Sequence, residues 1–162
     1  MTTTQIAQPI IWPSLPHRLH HAIDPSVITQ PDAPCVQDER HALSYREFDI
    51  ASKKAARRLS DLGVRAGDRV LLVAENCVAL AVLFFAASRL DAWACVINAR
   101  LSKPELDSIR QHAGARLVCY AGETAPTLAH ARADQAQQGG FEHIGAVAVS
   151  AVDETVHAEP AH

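Results

Sequence analysis

Apolar residues recur along this chain in two rhythms, one helical and one of short unbroken runs. Leu15, Leu19 and Ile23 repeat every fourth position, which predicts a short amphipathic helix ended by Asp24-Pro25. Pro31 and Pro34 bound a loop, and Cys35-Val36 and Ala42-Leu43 read as two short strands joined by the polar turn 37–41. Ser44-Tyr45-Arg46-Glu47 is a capping box: the Ser44 hydroxyl can accept the Glu47 amide while the Glu47 carboxylate reaches back. Phe48, Ala55, Leu59 and Leu62 then share one helical face, and Gly63 supplies a left-handed stop.

Beyond Gly67-Asp68 the rhythm changes. Residues 69–74 form a Val- and Leu-rich run that predicts a buried strand, and Asn76 can cap a helix over 77–90. Residues 94–97 predict a second buried strand. Ser102-Lys103-Pro104-Glu105 is a second capping box, followed by the apolar face Leu106, Ile109 and Ala113 and the stop Gly114. A third strand is predicted over 117–120, an Ala- and Gln-rich helix over about 127–138 ending at Gly139-Gly140, and a fourth strand over 144–149. Strands alternating with helices over short links predict consecutive βαβ units with right-handed crossovers. The expected fold class is therefore α/β: a parallel, flavodoxin-like sheet with helices on both faces, preceded by a short N-terminal β-hairpin. Strands that are continuously apolar are expected where both faces are covered. The expected organisation is an irregular segment over 1–14, the α/β unit over 15–150 and a polar tail over 151–162.

Composition narrows the partners. The chain has 162 residues, 48% hydrophobic and 20% charged, enough for one domain with a real core. Fifteen basic against 18 acidic residues give a net charge of −3, which argues against nucleic acid or an anionic membrane as partner. The one basic cluster, Arg46, Lys53, Lys54, Arg57 and Arg58, is interleaved with Glu47, Asp49 and Asp61 and reads as a solvated helix face. Residues 77–87 are free of charge but span about half of what a membrane helix needs, so a buried helix is expected and no membrane span. Residues 1–8 are polar and lack the apolar run of a secretory signal. Cys35, Cys77, Cys95 and Cys119 form no C-x-x-C pair, and a cytoplasmic setting with reduced thiols is expected.

Ligands of such sheets bind at the carboxyl ends of the strands. The loops there are Glu75-Asn76, Asn98-Ala99-Arg100-Leu101 and Ala121-Gly122-Glu123-Thr124. None is a glycine-rich phosphate cradle. No G-x-G-x-x-G or G-x-x-x-x-G-K-[ST] occurs, and Ala146-Val147 stand where the Gly140/Gly145 spacing would require Lys and Ser/Thr. This disfavours a free-standing flavin or nucleotide protein. His17 and His21 have a one-turn spacing that a metal could use, but nothing nearby completes a ligand set, so surface histidines are expected and no metal site. Cys77, at a helix start, could be an activated thiol; its apolar neighbours favour an inert one. No serine stands in a G-x-S-x-G elbow.

Leu43-Ser44-Tyr45-Arg46-Glu47-Phe48, then Leu59, Leu62-Gly63-Val64, Gly67-Asp68-Arg69-Val70, Glu75-Asn76, Asn98-Ala99-Arg100-Leu101 and Ala113-Gly114-Ala115 together resemble the adenylate-forming (AMP-binding) acyl-CoA synthetase family in order and spacing. One departure is Asp91-Ala92, where that family often has Gly-Ala. The resemblance implies an ATP-dependent carboxylate–CoA ligase. A carboxylate attacks the α-phosphorus of ATP and releases pyrophosphate; a thiol, usually that of coenzyme A, then displaces AMP. It implies ATP, magnesium and CoA for the full enzyme and none bound by this chain alone, because the family's Ser/Thr/Gly-rich loop with its lysine begins after a stretch like 153–162. No catalytic residue is carried over. Asn98 and Arg100 are the candidate cofactor-binding residues, near where some family members hold the CoA nucleotide; the alternative is that Asn98 caps its own loop and Arg100 is solvated. The implied partners are the remaining ligase core with its mobile C-terminal domain, a carboxylic acid and CoA, and a homodimer is compatible. The expected role is an N-terminal scaffold, inactive alone; the alternative is a non-catalytic interaction module of the same fold.

Overall fold

The computed structural model describes residues 16–156 and residue 158. The expected irregular segment 1–14, Leu15 and most of the last six residues lie outside the described residues. A 3-10 turn over Leu19–Ile23 leads directly into helix α1, Asp24–Thr29. Asp24-Pro25 thus opens a helix instead of ending one. Proline is tolerated in a first turn, where its missing N–H has no partner to lose, and the acidic Asp24 meets the positive end of the helix. Strands β1 (Pro34–Gln37) and β2 (Ala42–Ser44) pair antiparallel as the expected hairpin.

Helix α2, Tyr45–Asp61, begins at the expected capping box. Ser44 Oγ accepts the Glu47 amide at 3.3 Å, and the Glu47 carboxylate accepts the Ser44 amide at 2.8 Å. Two orphan donors of the first turn are satisfied together. Phe48, Ala55 and Leu59 are buried on one face, and Gly63 ends the segment at φ +88°.

Strands β3 (Arg69–Ala74), β4 (Trp93–Asn98) and β5 (Leu117–Ala121) are parallel, in the order β4-β3-β5. Helix α3 (Val78–Arg89) links β3 to β4, and α4 (Lys103–Ala113) carries the chain back past β3 to β5. Two right-handed crossovers in opposite directions put their helices on opposite faces. Accordingly Val70, Leu72, Leu117 and Cys119 pack with α2 and α3, while Leu71, Val73, Val118 and Tyr120 pack with α4 and with helix α5, Ala125–Ala133. Among the described residues no helix is long and apolar enough to cross a membrane; the apolar run 77–87 is the core helix α3.

The last strand corrects the expected topology. Helix α5 ends at Ala133 and delivers the chain to β6, the two exposed residues Gln137–Gln138. The chain then folds back as β7, Val147–Val149, which lies between β6 and β5 and runs antiparallel to both. The parallel crossover therefore ends at β6, and the apolar strand expected as a fourth parallel strand is a hairpin return. No helix separates β6 from β7, and an antiparallel return needs none. A sheet edge correction also follows. Strand β4 is terminal, and Trp93 and Val96 are 57% and 47% exposed, so its apolar run is not covered on both sides.

Asp91, the departure from the resembled family, sits at φ +54° in the turn between α3 and β4. Left-handed backbone there suits glycine, and aspartate is among the few other residues that adopt it readily. Its carbonyl accepts the Gly67 amide at 2.9 Å and its carboxylate pairs with Arg18, so the turn is held without glycine.

Candidate functional site

The carboxyl ends of β3, β4 and β5 open into a cleft of about 1390 Å³. Its walls include all three expected loops, through Glu75, Asn76, Asn98, Arg100, Gly122, Glu123 and Thr124. The hairpin turn 37–41, the start of α3 and residues 144–146 close the other sides.

In this strand order the outgoing connections diverge between β3 and β5, where doubly wound folds usually hold an anion at a helix N-terminus. That place is already filled by the protein. Asp38, from the β1–β2 turn, accepts the Val78 amide at 2.8 Å through Oδ2 and so caps α3 from 40 residues away. Through Oδ1 it also accepts the amides of Arg40 and His41 at 2.9 and 2.8 Å. The expected cap, Asn76, is not used; Cys77 is the N-cap residue and its side chain makes no capping bond. Cys77 Sγ stands 3.5 Å from where a Cβ on Gly122 would lie, which leaves little room between the two loops. Arg40 pairs with Glu123 and so ties the hairpin turn to the loop after β5.

The Val78 amide, and after it those of Arg40 and His41, hold the Asp38 carboxyl down at about 2. Its depressed folded value means that its stabilisation is fully present above the ordinary carboxylate value near 4 and is lost as pH falls from there toward 2. Allowing for its partial exposure, about 1–2 kcal/mol is at stake. Asp38→Asn is therefore expected to flatten the loss of urea stability between pH 4 and pH 2 by about that amount. Equal slopes in both proteins would show that the carboxylate does not latch the hairpin.

The loop after β4 is built differently. Asn98 Oδ1 accepts the Arg100 amide at 2.9 Å, so Asn98 turns its own loop. Arg100 projects to the mouth of the cleft, 75% exposed, and pairs with the Glu75 carboxylate. That pairing, with the Thr124 hydroxyl, lowers the Glu75 pKa. Burial raises the Cys77 thiol, which makes it a poor nucleophile. Cys119 is fully enclosed, and burial pushes it up to about 12. His17 and His21 do not converge with a third ligand: His21 meets Asp24 at 2.8 Å, and the neighbouring His20 meets Ser88 Oγ at 3.1 Å.

The basic cluster on α2 is solvated in part. Arg58 donates to the Gly139 carbonyl at 2.6 Å, and Asp49 is buried against Arg89 of α3 at 2.7 Å. Asp38 carried no sequence signal beyond turn composition, and Glu123 was placed at a strand end without its partner Arg40. An Asx turn at Asp38 was legible in Gln37-Asp38-Glu39-Arg40-His41, but its bond to Val78 was not.

A family model described as AMP-binding enzyme matches residues 24–161. The chain belongs to the AMP-binding enzyme family. Among its relatives in that family, the long-chain-fatty-acid–CoA ligase FadD13 of Mycobacterium tuberculosis is 35% identical over 91 residues, 56% of this chain and 18% of that ligase. A feruloyl-CoA synthase of Amycolatopsis is 34% identical over 99 residues, covering 61% of this chain and 20% of the synthase. The inhibitor-bound N-terminal domain of FACL13 from M. tuberculosis superposes with TM-score 0.64 at 28% identity, over 74% of this chain and 30% of that one. Each match spans under a third of the relative's own length.

Proposed function

We propose that this chain is the N-terminal scaffold of an ATP-dependent carboxylate–CoA ligase, and that its loop 98–100 receives a phosphate of the CoA nucleotide. The family match over residues 24–161, with acyl-CoA ligases among the relatives, carries the first part. Arg100 carries the second: it is the exposed cation at the end of a parallel strand, facing the cleft.

The α3 end of the cleft does not suit the phosphates of ATP, because Asp38 occupies the helix N-terminus that a phosphate would use. Among the described residues no three His, Cys, Asp or Glu side chains come together as metal ligands. Adenylation is therefore assigned to other parts of the ligase, and this chain supplies one wall. The exposed flank of β4, with Trp93 and Val96, is the surface those parts would cover.

Glu75 competes with any incoming phosphate for Arg100. Titration calorimetry with CoA tests the reading, run on a chimera that carries this chain in place of the matching N-terminal segment of the M. tuberculosis fatty acyl-CoA synthetase. Arg100→Ala should weaken binding about tenfold, and Glu75→Gln should tighten it about threefold by freeing the guanidinium. Binding of CoA that is indifferent to both substitutions would remove the loop from the site.

A further inference from the structure

We propose that His130 is the positioning residue of the loop that carries Arg100, an inference that rests on the reading of Arg100 as a phosphate ligand. His130 lies on α5, 8% exposed, some thirty residues after the loop in sequence. Its Nε2 stands 3.1 Å from the Ala99 carbonyl and 2.9 Å from the Leu101 carbonyl. A carbonyl can only accept, so Nε2 carries the hydrogen and shares it between the two oxygens. Those carbonyls belong to the residues on either side of Arg100.

The other ties of the loop's backbone come from the sheet or from the loop itself. The Ala99 amide donates to Ala74 at 3.1 Å, the Leu101 amide to Asn98 at 3.2 Å, and the Arg100 amide to the Asn98 side chain at 2.9 Å. His130 adds the tie to the helical layer. The Arg100 side chain is mostly in solvent, so packing does little to fix it, and the guanidinium takes its position from its backbone and from its pair with Glu75. Ala99 is fully buried, so loss of the imidazole would deprive its carbonyl of this donor in a place that water cannot easily reach. The expected consequence is a loop that shifts or frays and an Arg100 that leaves the mouth of the cleft.

The test uses the whole chain with three substitutions. His130→Leu keeps bulk without a donor, His130→Gln keeps a donor at similar reach, and His130→Asn keeps a donor that is too short. Amide hydrogen exchange at Arg100 and Leu101 is measured on the chain, and the Kd for CoA on the chimera that carries it. His130→Leu and His130→Asn should exchange faster at these two amides, with Val118 and Cys119 in β5 unchanged, and should bind CoA about tenfold more weakly. His130→Gln should restore both readouts to near the parent values, an outcome that a purely structural role would not produce. If His130→Leu does not fold, the Asn and Gln pair decides. Unchanged exchange at Arg100 and Leu101 in the donor-deficient variants overturns the proposal. If the unsubstituted chimera fails to bind CoA, the reading of Arg100 falls, and the exchange data still decide whether His130 holds the loop.

Discussion

Replacing Arg89 by alanine is expected to lower the unfolding free energy by about 3 kcal/mol, measured by urea denaturation at neutral pH. Arg89 closes the last turn of α3 and reaches across to α2. Its guanidinium donates to Asp49 at 2.7 Å and to Ser52 Oγ at 3.0 Å, and both members of the ion pair are only 12% exposed. Truncating it would leave the buried Asp49 with Lys53, at 2.7 Å, as its remaining cation, and would leave Ser52 without its donor. A buried carboxylate left with only the half-exposed Lys53 is costly, whereas replacing both charges by apolar groups of similar volume is often close to neutral. The double variant Asp49→Leu/Arg89→Met should therefore recover most of the loss. A change below about 1 kcal/mol in Arg89→Ala would mean that the pair is solvated and does not join the helices.

Phe48→Ala should be at least as damaging, by about 3–5 kcal/mol. Phe48 is 1% exposed and packs edge-on against Phe85 of α3, with ring centroids 4.9 Å apart. Its removal takes away a large apolar side chain and leaves a cavity in the layer between α2, α3 and the sheet. Phe48→Leu refills much of the space and should cost about 1–1.5 kcal/mol. Against a typical domain stability of about 5–15 kcal/mol, the alanine variant would be marginal. If alanine and leucine were equally mild, the contact with Phe85 would not be part of the core. Phe48 and Asp49 are neighbours, so their effects are not expected to add.

These two contacts show how much the sequence could reveal. The capping box at Ser44 and the apolar face of Phe48, Ala55 and Leu59 are local signals and were legible. Asp49 read as part of a solvated charged face because its spacing to Lys53 is also local; its partner Arg89 lies forty residues away. The hairpin, the three parallel strands and the helices between them were likewise written in apolar periodicity and glycine stops. Strand β6 was not, because Gln137 and Gln138 are polar and exposed, and without it the return strand β7 read as parallel. Nor could the pattern show that β4 lies at the edge, since an apolar run looks alike whether one face or two are covered.

The cleft was legible in outline and not in detail. Reading the loops at strand ends located Glu75, Asn98, Arg100 and Gly122 correctly at one opening. The reason that no phosphate cradle exists there is sharper in three dimensions. Asp38 arrives from the hairpin and takes the α3 N-terminus for itself. His130, buried beneath the loop it holds, stood in an Ala-rich helix with nothing in its spacing to mark it.

The most direct test of the scaffold reading is carboxylate-dependent exchange of pyrophosphate into ATP. The purified chain should show none with any acid. The same chain grafted in place of the matching N-terminal segment of the M. tuberculosis fatty acyl-CoA synthetase should support exchange. Exchange catalysed by this chain alone would contradict the account, because the adenylation chemistry would then have to reside in a cleft whose phosphate position Asp38 already fills.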